Sequence, residues 1–333
     1  MKVTKKTVDA QDLELTVKIE ATDYSEVYRK RFAECRRKAD FKGFRKGMVP
    51  ASLIQRVYGD QLLGESVNEV VSKALTDYIE TEGLKVLGEP LPSEKQPEVE
   101  WKEGNDFTFV YDVALSPEVN LDITAEDSVN QYTITVTAKD KAPMVESMKK
   151  YYEEHKEEGK EAKTDEEIDE EVTGRMKEQY RQEAEWRLSK DIRDYCVEKA
   201  GLTLPEDFLK RWLFVANDGK FTKEDIEKDF PGFAADFKWQ LVRGYLMKKY
   251  DFKISQEDIT SAAQAYVTYQ YAMYGMANLP AELLTEAVNN VLKDPKQIDS
   301  LVERVEDEKV LGKLKETMTL KAKKISAEKF REL

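Results

Sequence analysis

The sequence of 333 residues has few of the side chains that build covalent or metal-centred sites. Its two cysteines, Cys35 and Cys196, do not form a Cys-x-x-Cys pair, which argues against a disulfide framework and a thiolate zinc site. The single histidine, His155, lies among charged residues, which indicates a solvated helix face and excludes a multi-histidine metal site. No glycine-rich phosphate loop occurs. We therefore expect no metal, no cofactor and no catalytic residues.

Long apolar runs are also missing. No window approaches the eighteen consecutive apolar residues of a membrane span, and the residues after Lys6 do not form the apolar stretch of a signal peptide. We therefore expect a soluble, cytoplasmic protein with no membrane partner. Hydrophobic residues make up 41% and charged residues 36% of the chain, and the mean hydropathy is −0.65. That composition is enough for a core, with little to spare, as in an elongated helical protein.

Charge is unevenly distributed along the chain. The net charge is −13, yet nine basic residues lie between Arg29 and Lys46, where only Glu34 and Asp40 oppose them. A basic face on an acidic protein indicates a polyanionic partner on one side only.

The most informative stretch is the basic loop, which we define as Phe41–Pro50. Gly43 and Gly47 bracket Phe44, Arg45 and Lys46, and glycine permits the positive φ angles of tight turns. The tip of such a loop offers one aromatic ring and two cations to a carboxylate or a phosphate. The alternative is an ordinary basic turn.

The first part of the chain has an α+β pattern that closes near Pro117. Apolar residues alternate from Leu13 to Ile19 and from Phe107 to Leu115, which predicts two strands, and Val86 with Leu87 predicts a short one. A helix capped by Asp23 or Ser25 is expected to run to about Lys38. Two further helices are expected, a short one from Pro50 and a second from Gln61 to about Glu82.

Residues 118–163 are expected to form an extended linker and a charged segment. Tyr132, Ile134 and Val136 alternate with threonines, and the run from Glu146 to Glu171 is acidic and poor in apolar residues. Such a run is typical of a linker or a solvated helix.

From residue 164 to 333 the pattern is helical. A stripe of apolar residues recurs every four positions from Ile168 to Cys196, and a four-residue step advances about 400°, so the stripe drifts around the helix and must meet several partners. Helix starts are marked by Pro205, by Thr222 with Asp225, and by Ser255 with Asp258. Glycines and prolines, among them Pro231, punctuate the expected bundle.

Two regions of the chain resemble parts of a known protein family. The basic loop with its motif Gly-Phe-Arg-Lys-Gly-x-x-Pro, the helix from Gln61 and the strand from Phe107 resemble the ribosome-binding module of the trigger factor family, and Gly201–Trp212 and the bundle to Leu333 resemble its helical chaperone domain. The resemblance implies an α+β ribosome-binding domain at 1–117, the linker at 118–163, and an all-α, elongated chaperone domain at 164–333.

The resemblance also implies a function. Members of the family are ATP-independent chaperones that dock at the ribosomal tunnel exit and shield nascent or unfolded polypeptides. Phe44, Arg45 and Lys46, held by Gly43 and Gly47, would contact a large-subunit protein and nearby ribosomal RNA. Self-association of the chain away from the ribosome, as a homodimer, is a further expectation from the resemblance.

One departure from the family is large. Its members usually carry an FKBP-like prolyl isomerase domain before the helical domain, whereas only about residues 138–164 lie there in this chain. We therefore expect no enzyme activity. Two alternatives to the chaperone remain: a retained prolyl isomerase, and a basic RNA-binding module. RNA readers usually interleave aromatic rings with charge, and the basic loop offers mainly Phe44.

Candidate client-binding residues occur between 266 and 276, which we call the Tyr/Met segment. Tyrosine and methionine adapt to varied apolar surfaces. The alternative is that these side chains belong to a core, although Tyr269, Tyr271 and Tyr274 do not share one helix face. The candidates are Tyr266, Tyr269, Met273, Tyr274 and Met276.

Overall fold

The computed structural model describes residues 1–155, 163–217, 219–276 and 280–333. Residues 156–162 of the expected charged segment therefore lie outside the described residues. The chain divides into two compact units. Unit 1 comprises Met1–Glu118 and Thr203–Ala234, and unit 2 comprises Val119–Leu202 and Ala235–Leu333. An α+β N-terminal region is followed by a mostly helical region, as expected.

Unit 1 is built on an antiparallel sheet. Its strands lie in the order β1-β2-β4-β3, and the predicted alternation of β2 places Leu13, Leu15, Val17 and Ile19 in the core. The lysine-rich β1 was not predicted, because its exposed edge position requires almost no apolar residues. The strands are β1 (Lys2–Thr7), β2 (Asp12–Ile19), β3 (Val86–Pro92) and β4 (Phe107–Leu115).

Two helices pack against this sheet, α1 (Ala21–Lys38) and α2 (Ala51–Thr81). Asp23 was expected as a cap but occupies the third helical position, where its carboxylate accepts a 2.9 Å bond from the N–H of the capping residue Glu20. The two helices predicted between Pro50 and Glu82 are one continuous helix. A helical glycine such as Gly59 costs about 1 kcal/mol, and burial of the α2 face against β2 outweighs that cost.

The short helix α5 (Glu206–Ala216) also belongs to unit 1. The Arg211 guanidinium contacts the Asp112 carboxylate on β4 at 2.8 Å, and the Trp212 indole lies so close to Gly88 that a Cβ there would come within 2.7 Å of it. Gly88 has a φ of +68°. These contacts are the reason why the compact units differ from the division expected at residues 117 and 164.

Unit 2 combines helices with a two-stranded parallel sheet of β5 (Ser128–Thr135) and β6 (Thr319–Ser326). The region expected to be all-α therefore contains the strand β6, and the expected linker contains β5 and a helix. The remaining helices follow in chain order, and α6 has residues in both units. They are α3 (Ala138–Glu154), α4 (Asp165–Ala200), α6 (Lys223–Lys249), α7 (Gln256–Met273), α8 (Ala281–Val291), α9 (Pro295–Thr317) and α10 (Ala327–Arg331).

The drifting stripe on α4 is confirmed, since all eight predicted residues are buried. Its first part, from Ile168 to Ala184, packs in a cluster with Ile134 of β5, and its last part, from Leu188 to Cys196, packs in a second cluster with α6 and α9. The drift therefore lets one helix serve two cores.

Helix starts at Thr222 and Ser255 are also confirmed: each hydroxyl accepts a bond from the backbone N–H of the aspartate three residues later. Pro231 was expected to interrupt the bundle but lies inside α6. Proline removes one backbone bond, and flanking residues can remain helical around a kink. Among the described residues, no helix is both long and apolar enough to cross a membrane.

Candidate functional site

The basic loop consists of two consecutive hydrogen-bonded turns. The Phe44 N–H donates to the Phe41 carbonyl at 3.0 Å, and the Met48 N–H donates to the Arg45 carbonyl at 2.9 Å. The third residue of each turn is a glycine, Gly43 with φ +94° and Gly47 with φ +80°. Residues with side chains rarely adopt such angles, so the two glycines determine the shape of the loop.

Both ends of the loop are anchored in unit 1. The Arg36 Nε of α1 donates to the Val49 carbonyl at 3.0 Å, and Val49 is fully buried. At the other end, the Phe41 ring and the Tyr58 ring on α2 form a T-shaped pair, with ring centroids 6.1 Å apart. The turns are therefore presented from a packed base.

The predicted contact residues lie together at the tip and face solvent. Phe44 is 43% exposed and Met48, which sequence reasoning did not single out, is 70% exposed. Arg45 and Lys46 are exposed, and neither makes an ion pair or hydrogen bond through its side chain with any described residue. The tip thus offers an aromatic ring, a thioether and two uncompensated cations.

Ion pairs partly neutralise the basic residues between Arg29 and Lys46. Arg31 contacts Glu65 at 3.1 Å and Glu69 at 2.5 Å, both on α2, and the hydrogen bond that Arg31 donates to Glu69 raises the pKa of the Arg31 guanidinium. Lys30 and Lys38 pair along α1 with glutamates four residues earlier. Sequence reasoning missed the pairing of Arg31 because Glu65 and Glu69 lie more than 30 residues away. Of the basic residues between Arg29 and Lys46, those that make no ion pair with any described residue are Arg29, Arg36, Arg37, Lys42, Arg45 and Lys46.

The Tyr/Met segment at the end of α7 is divided between core and surface. Tyr269, Met273, Tyr274 and Met276 are 51–83% exposed. Tyr266 instead packs partly against the cluster of α7, α8 and α9, and its hydroxyl accepts a 2.6 Å bond from Gln270 Nε2. Four of the five candidate residues are therefore available to a partner.

The helix end fixes where those four side chains lie. The Met276 N–H donates to the Tyr271 carbonyl at 3.0 Å, and Gly275 has a φ of +79°. This is the Schellman arrangement, which turns the chain away from the helix axis at a left-handed residue. On α8, Leu283 is a further exposed apolar side chain, with 52% of its surface accessible.

The described residues hold no group of three His, Cys, Asp or Glu side chains arranged to bind a metal ion. The candidate residues form two exposed surfaces, one in each unit, built from aromatic, thioether and cationic groups.

Two family models match the chain. The model described as bacterial trigger factor protein matches residues 1–148, and the model of the probable trigger factor C-terminal domain matches residues 184–333. Only residues 149–183 are matched by neither.

Curated relatives agree with the models. The trigger factor of Saccharophagus degradans is 30% identical over 150 residues, which cover 45% of this chain and 33% of that protein. A Coxiella burnetii trigger factor is 26% identical over 142 residues, 43% of this chain and 31% of that protein. The matches thus span about a third of the length of each relative. A solved trigger factor chaperone structure, from work on promiscuous substrate recognition in folding and assembly, covers 94% of this chain and 99% of its own, with 13% identity and a TM-score of 0.48.

Proposed function

The chain belongs to the trigger factor family, and on that premise we propose that it is an ATP-independent chaperone of the cytoplasm. In this proposal it docks beside the ribosomal tunnel exit and shields hydrophobic segments of nascent or unfolded polypeptides. The observation that carries the proposal is the basic loop, in which two glycine turns hold Phe44, Arg45 and Lys46 in solvent, with no side-chain hydrogen bond or ion pair to a described residue.

Each tip residue suits a different contact. The planar Arg45 guanidinium can bind a carboxylate of a large-subunit protein through two parallel hydrogen bonds, whereas the compact Lys46 ammonium suits a phosphate of ribosomal RNA. Phe44 can fill a small apolar slot between them. The unpaired cations Arg29, Arg37 and Lys42 would attract the phosphate backbone, so docking should weaken steeply with salt.

Co-sedimentation with ribosomes tests this docking. We expect replacement of Phe44, Arg45 and Lys46 with alanine to abolish co-sedimentation while the fold is retained, because exposed side chains contribute little to stability. The matched control is Lys220→Ala with Phe221→Ala and Lys223→Ala, which also removes one exposed ring and two cations from unit 1. Unchanged co-sedimentation of the loop variant, or equal loss in the control, would rule out docking through this loop.

We further propose that unfolded clients contact the exposed part of the Tyr/Met segment. Its tyrosine and methionine side chains are exposed, and methionine adapts to apolar surfaces of different shape. Weak contacts spread over several side chains suit a chaperone that releases clients without ATP, since each contact can break singly.

We propose that the chain has no prolyl isomerase activity. Such catalysis needs a preformed apolar pocket to hold the twisted amide. In the region where the family usually carries that domain, α3 packs directly on α4, with Lys149 and Asp165 2.7 Å apart. A rate enhancement on a short proline peptide that co-purifies with the chain through several columns would refute this proposal.

Homodimer formation away from the ribosome remains a prediction from the family resemblance. Sedimentation velocity over a range of protein concentrations measures it directly. A single concentration-independent species with the mass of one chain, 38.5 kDa, would contradict it.

A further inference from the structure

Strand β5 in unit 2 has a neighbour on one side only. Among the described residues it pairs with β6 alone, in a parallel register from Ser128 with Thr319 to Thr135 with Ser326. The Thr319 N–H donates to the Asp127 carbonyl at 2.8 Å. In a parallel ladder every second residue of a strand faces its neighbour. This bond therefore shows that the backbone N–H and C=O groups of the odd-numbered residues of β5 point toward β6.

The even-numbered peptide groups of β5 point the other way. The backbone N–H and C=O groups of Asn130, Tyr132 and Ile134 make no hydrogen bond with any other residue that the structure describes. A row of unpaired donors and acceptors along a strand is a template for a further strand. The outer edge of β5 thus offers backbone hydrogen-bonding groups that no described residue uses.

A groove runs along this edge. It has a volume of about 820 Å³ and is lined by residues 131–136, by the facing side of α4, and by Lys324 of β6. On the α4 side, Tyr180 and Ala184 supply an apolar wall, and both are buried. The space beside the free edge is therefore open enough for an extended segment and has an apolar side against which alternate side chains can pack.

The charges that line the groove are mainly positive. Lys177 and Lys324 are exposed and make no ion pair with the described residues. Glu185 is the carboxylate on the wall, and it is already paired with Lys315 of α9. On a protein with a net charge of −13, this is a local site for carboxylates.

We propose that an extended client segment with Asp or Glu at alternate positions adds to the outer edge of β5 as a further strand. The backbone of the client segment forms hydrogen bonds with the backbone of Asn130, Tyr132 and Ile134. Its acidic side chains pair with Lys177 and Lys324, and its apolar side chains pack against the apolar wall on α4. Strand addition of this kind takes affinity from main-chain bonds and selectivity from alternate side chains. The inference rests on the proposed chaperone function, because the occupant is a client.

The probe is a fluorescein-labelled peptide of alternating valine and glutamate, and its binding is measured by fluorescence anisotropy. Two N-methylated versions block the N–H groups of one alternate set or of the other. Only one set can face β5, so we expect one version to lose at least tenfold in affinity while the other binds like the parent peptide. Equal affinities for the two versions would overturn strand addition.

Protein variants test the charge selectivity. We expect Lys177→Glu with Lys324→Glu to weaken binding about tenfold, since each exposed charge pair contributes modestly and reversal turns attraction into repulsion. The control is Lys190→Glu with Lys323→Glu, on the same helix and strand but outside the groove. Circular dichroism checks that each variant is folded. Equal weakening by the control would overturn the assignment of the groove.

Two further measurements on the same protein distinguish a failure of the strand-addition proposal from a failure of the proposed chaperone function. If the wild-type chain co-sediments with ribosomes and suppresses aggregation of an unfolded client but does not bind the probe, the strand-addition proposal is wrong and the chaperone function stands. If the groove variants abolish self-association measured by sedimentation and leave probe binding unchanged, the occupant is a second copy of the chain and the proposal is again wrong.

Discussion

The two compact units present their contact surfaces in different ways. In unit 1, the basic loop has its shape set by glycine turns and its base held by Val49 and Phe41, so a few side chains are presented in one arrangement. In unit 2, the exposed tyrosines and methionines project from a helix end, and a separate groove lies beside β5. Under the proposed function, the first surface would bind one recurring partner and the second would bind many partners of varied sequence.

The two surfaces differ in what would determine their binding selectivity. A preorganised backbone loses little conformational entropy on binding, so three side chains of the loop can give selective docking. Flexible methionine and amphipathic tyrosine give up that selectivity and can pack against unlike surfaces.

The largest effect concerns the stability of unit 2 alone. Asp307 on α9 accepts bonds from Arg193 Nη2 at 2.7 Å and from Trp239 Nε1 at 2.8 Å, and it contacts the buried Arg243 at 3.3 Å. We expect Asp307→Ala to lower the free energy of unfolding of unit 2 by about 3 kcal/mol, because it leaves a buried guanidinium with less compensation. Asp299→Ala, exposed on the same helix, is the control.

Fluorine NMR of fluorotryptophan-labelled protein in urea can measure this unit by unit. Unit 1 contains Trp101 and Trp212, and unit 2 contains Trp186 and Trp239. The unfolding midpoint should fall for the unit 2 signals and stay constant for the unit 1 signals. Equal shifts of all four signals would mean that the two units do not differ in this way.

The next effect concerns the shape of the basic loop. Gly47→Ala leaves every contact side chain in place, and no atom lies within 4 Å of the added Cβ, so the change acts only through the φ of +80°. A residue with a side chain costs about 1–2 kcal/mol in that region. We expect ribosome affinity to fall about tenfold, because fewer molecules hold the binding conformation.

Gly64→Ala is the matched control for the loop variant. Gly64 lies in α2, has no atom within 4 Å of an added Cβ and has no positive φ. It should therefore dock like the wild type and be slightly more stable, since alanine favours helix. Unchanged ribosome affinity of Gly47→Ala would show that the glycine turns do not preorganise the loop.

A smaller, graded effect is expected in unit 2. Replacing Tyr269, Met273, Tyr274 and Met276 with serine should lower suppression of client aggregation several-fold, because it removes apolar contact area, and should leave ribosome co-sedimentation unchanged. The control replaces Tyr151 and Trp186, which are also exposed in unit 2. Loss of ribosome binding in the segment variant, or equal loss of client protection in the control, would contradict the assignment of separate binding roles to the two units.

How far the sequence predicts each surface follows from the same difference. The basic loop could be predicted because its geometry is local: Gly43 and Gly47 lie next to the residues that they present. Exposure in the Tyr/Met segment could not be predicted, because Tyr266 packs on α8 and α9 elements that follow more than ten residues later.

The fold shows the same limit. The strand from Phe107 to Leu115 and the stripe on α4 follow from periodicity, and the structure confirms both. The strand β6 and the attachment of α5 to the first sheet depend on long-range pairs, such as Arg211 with Asp112, which no local pattern encodes. The edge of β5 that is unpaired among the described residues likewise becomes visible only once the pairing of β5 with β6 is known.

The smallest expected effect is a pH dependence that differs between the units. In unit 2, the bonds from Lys309 and from the Ser255 N–H hold the pKa of Asp258 at about 2. Burial raises the pKa of Asp127, but Lys199 and Tyr195 outweigh it and bring that pKa to about 2 as well. Neither carboxylate changes its charge between pH 5 and 7.

In unit 1, by contrast, the pKa of Asp12 on β2 lies above its ordinary value. Burial, followed by the neighbouring carboxylates of Asp9, Asp112 and Asp207, raises the pKa of Asp12 to about 6, although Arg211 offsets part of the charge of Asp112. The folded chain therefore binds a proton at Asp12 more readily than the unfolded chain does. The free energy of unfolding of unit 1 should rise as the pH falls from 7 to 5, by less than about 1 kcal/mol because Asp12 is only half-buried. In the fluorotryptophan experiment, the unit 1 midpoint should move to higher urea at pH 5 and the unit 2 midpoint should stay constant. Asp12→Asn, which cannot ionise, should remove the dependence; a dependence that persists in this variant would assign the titration to another group.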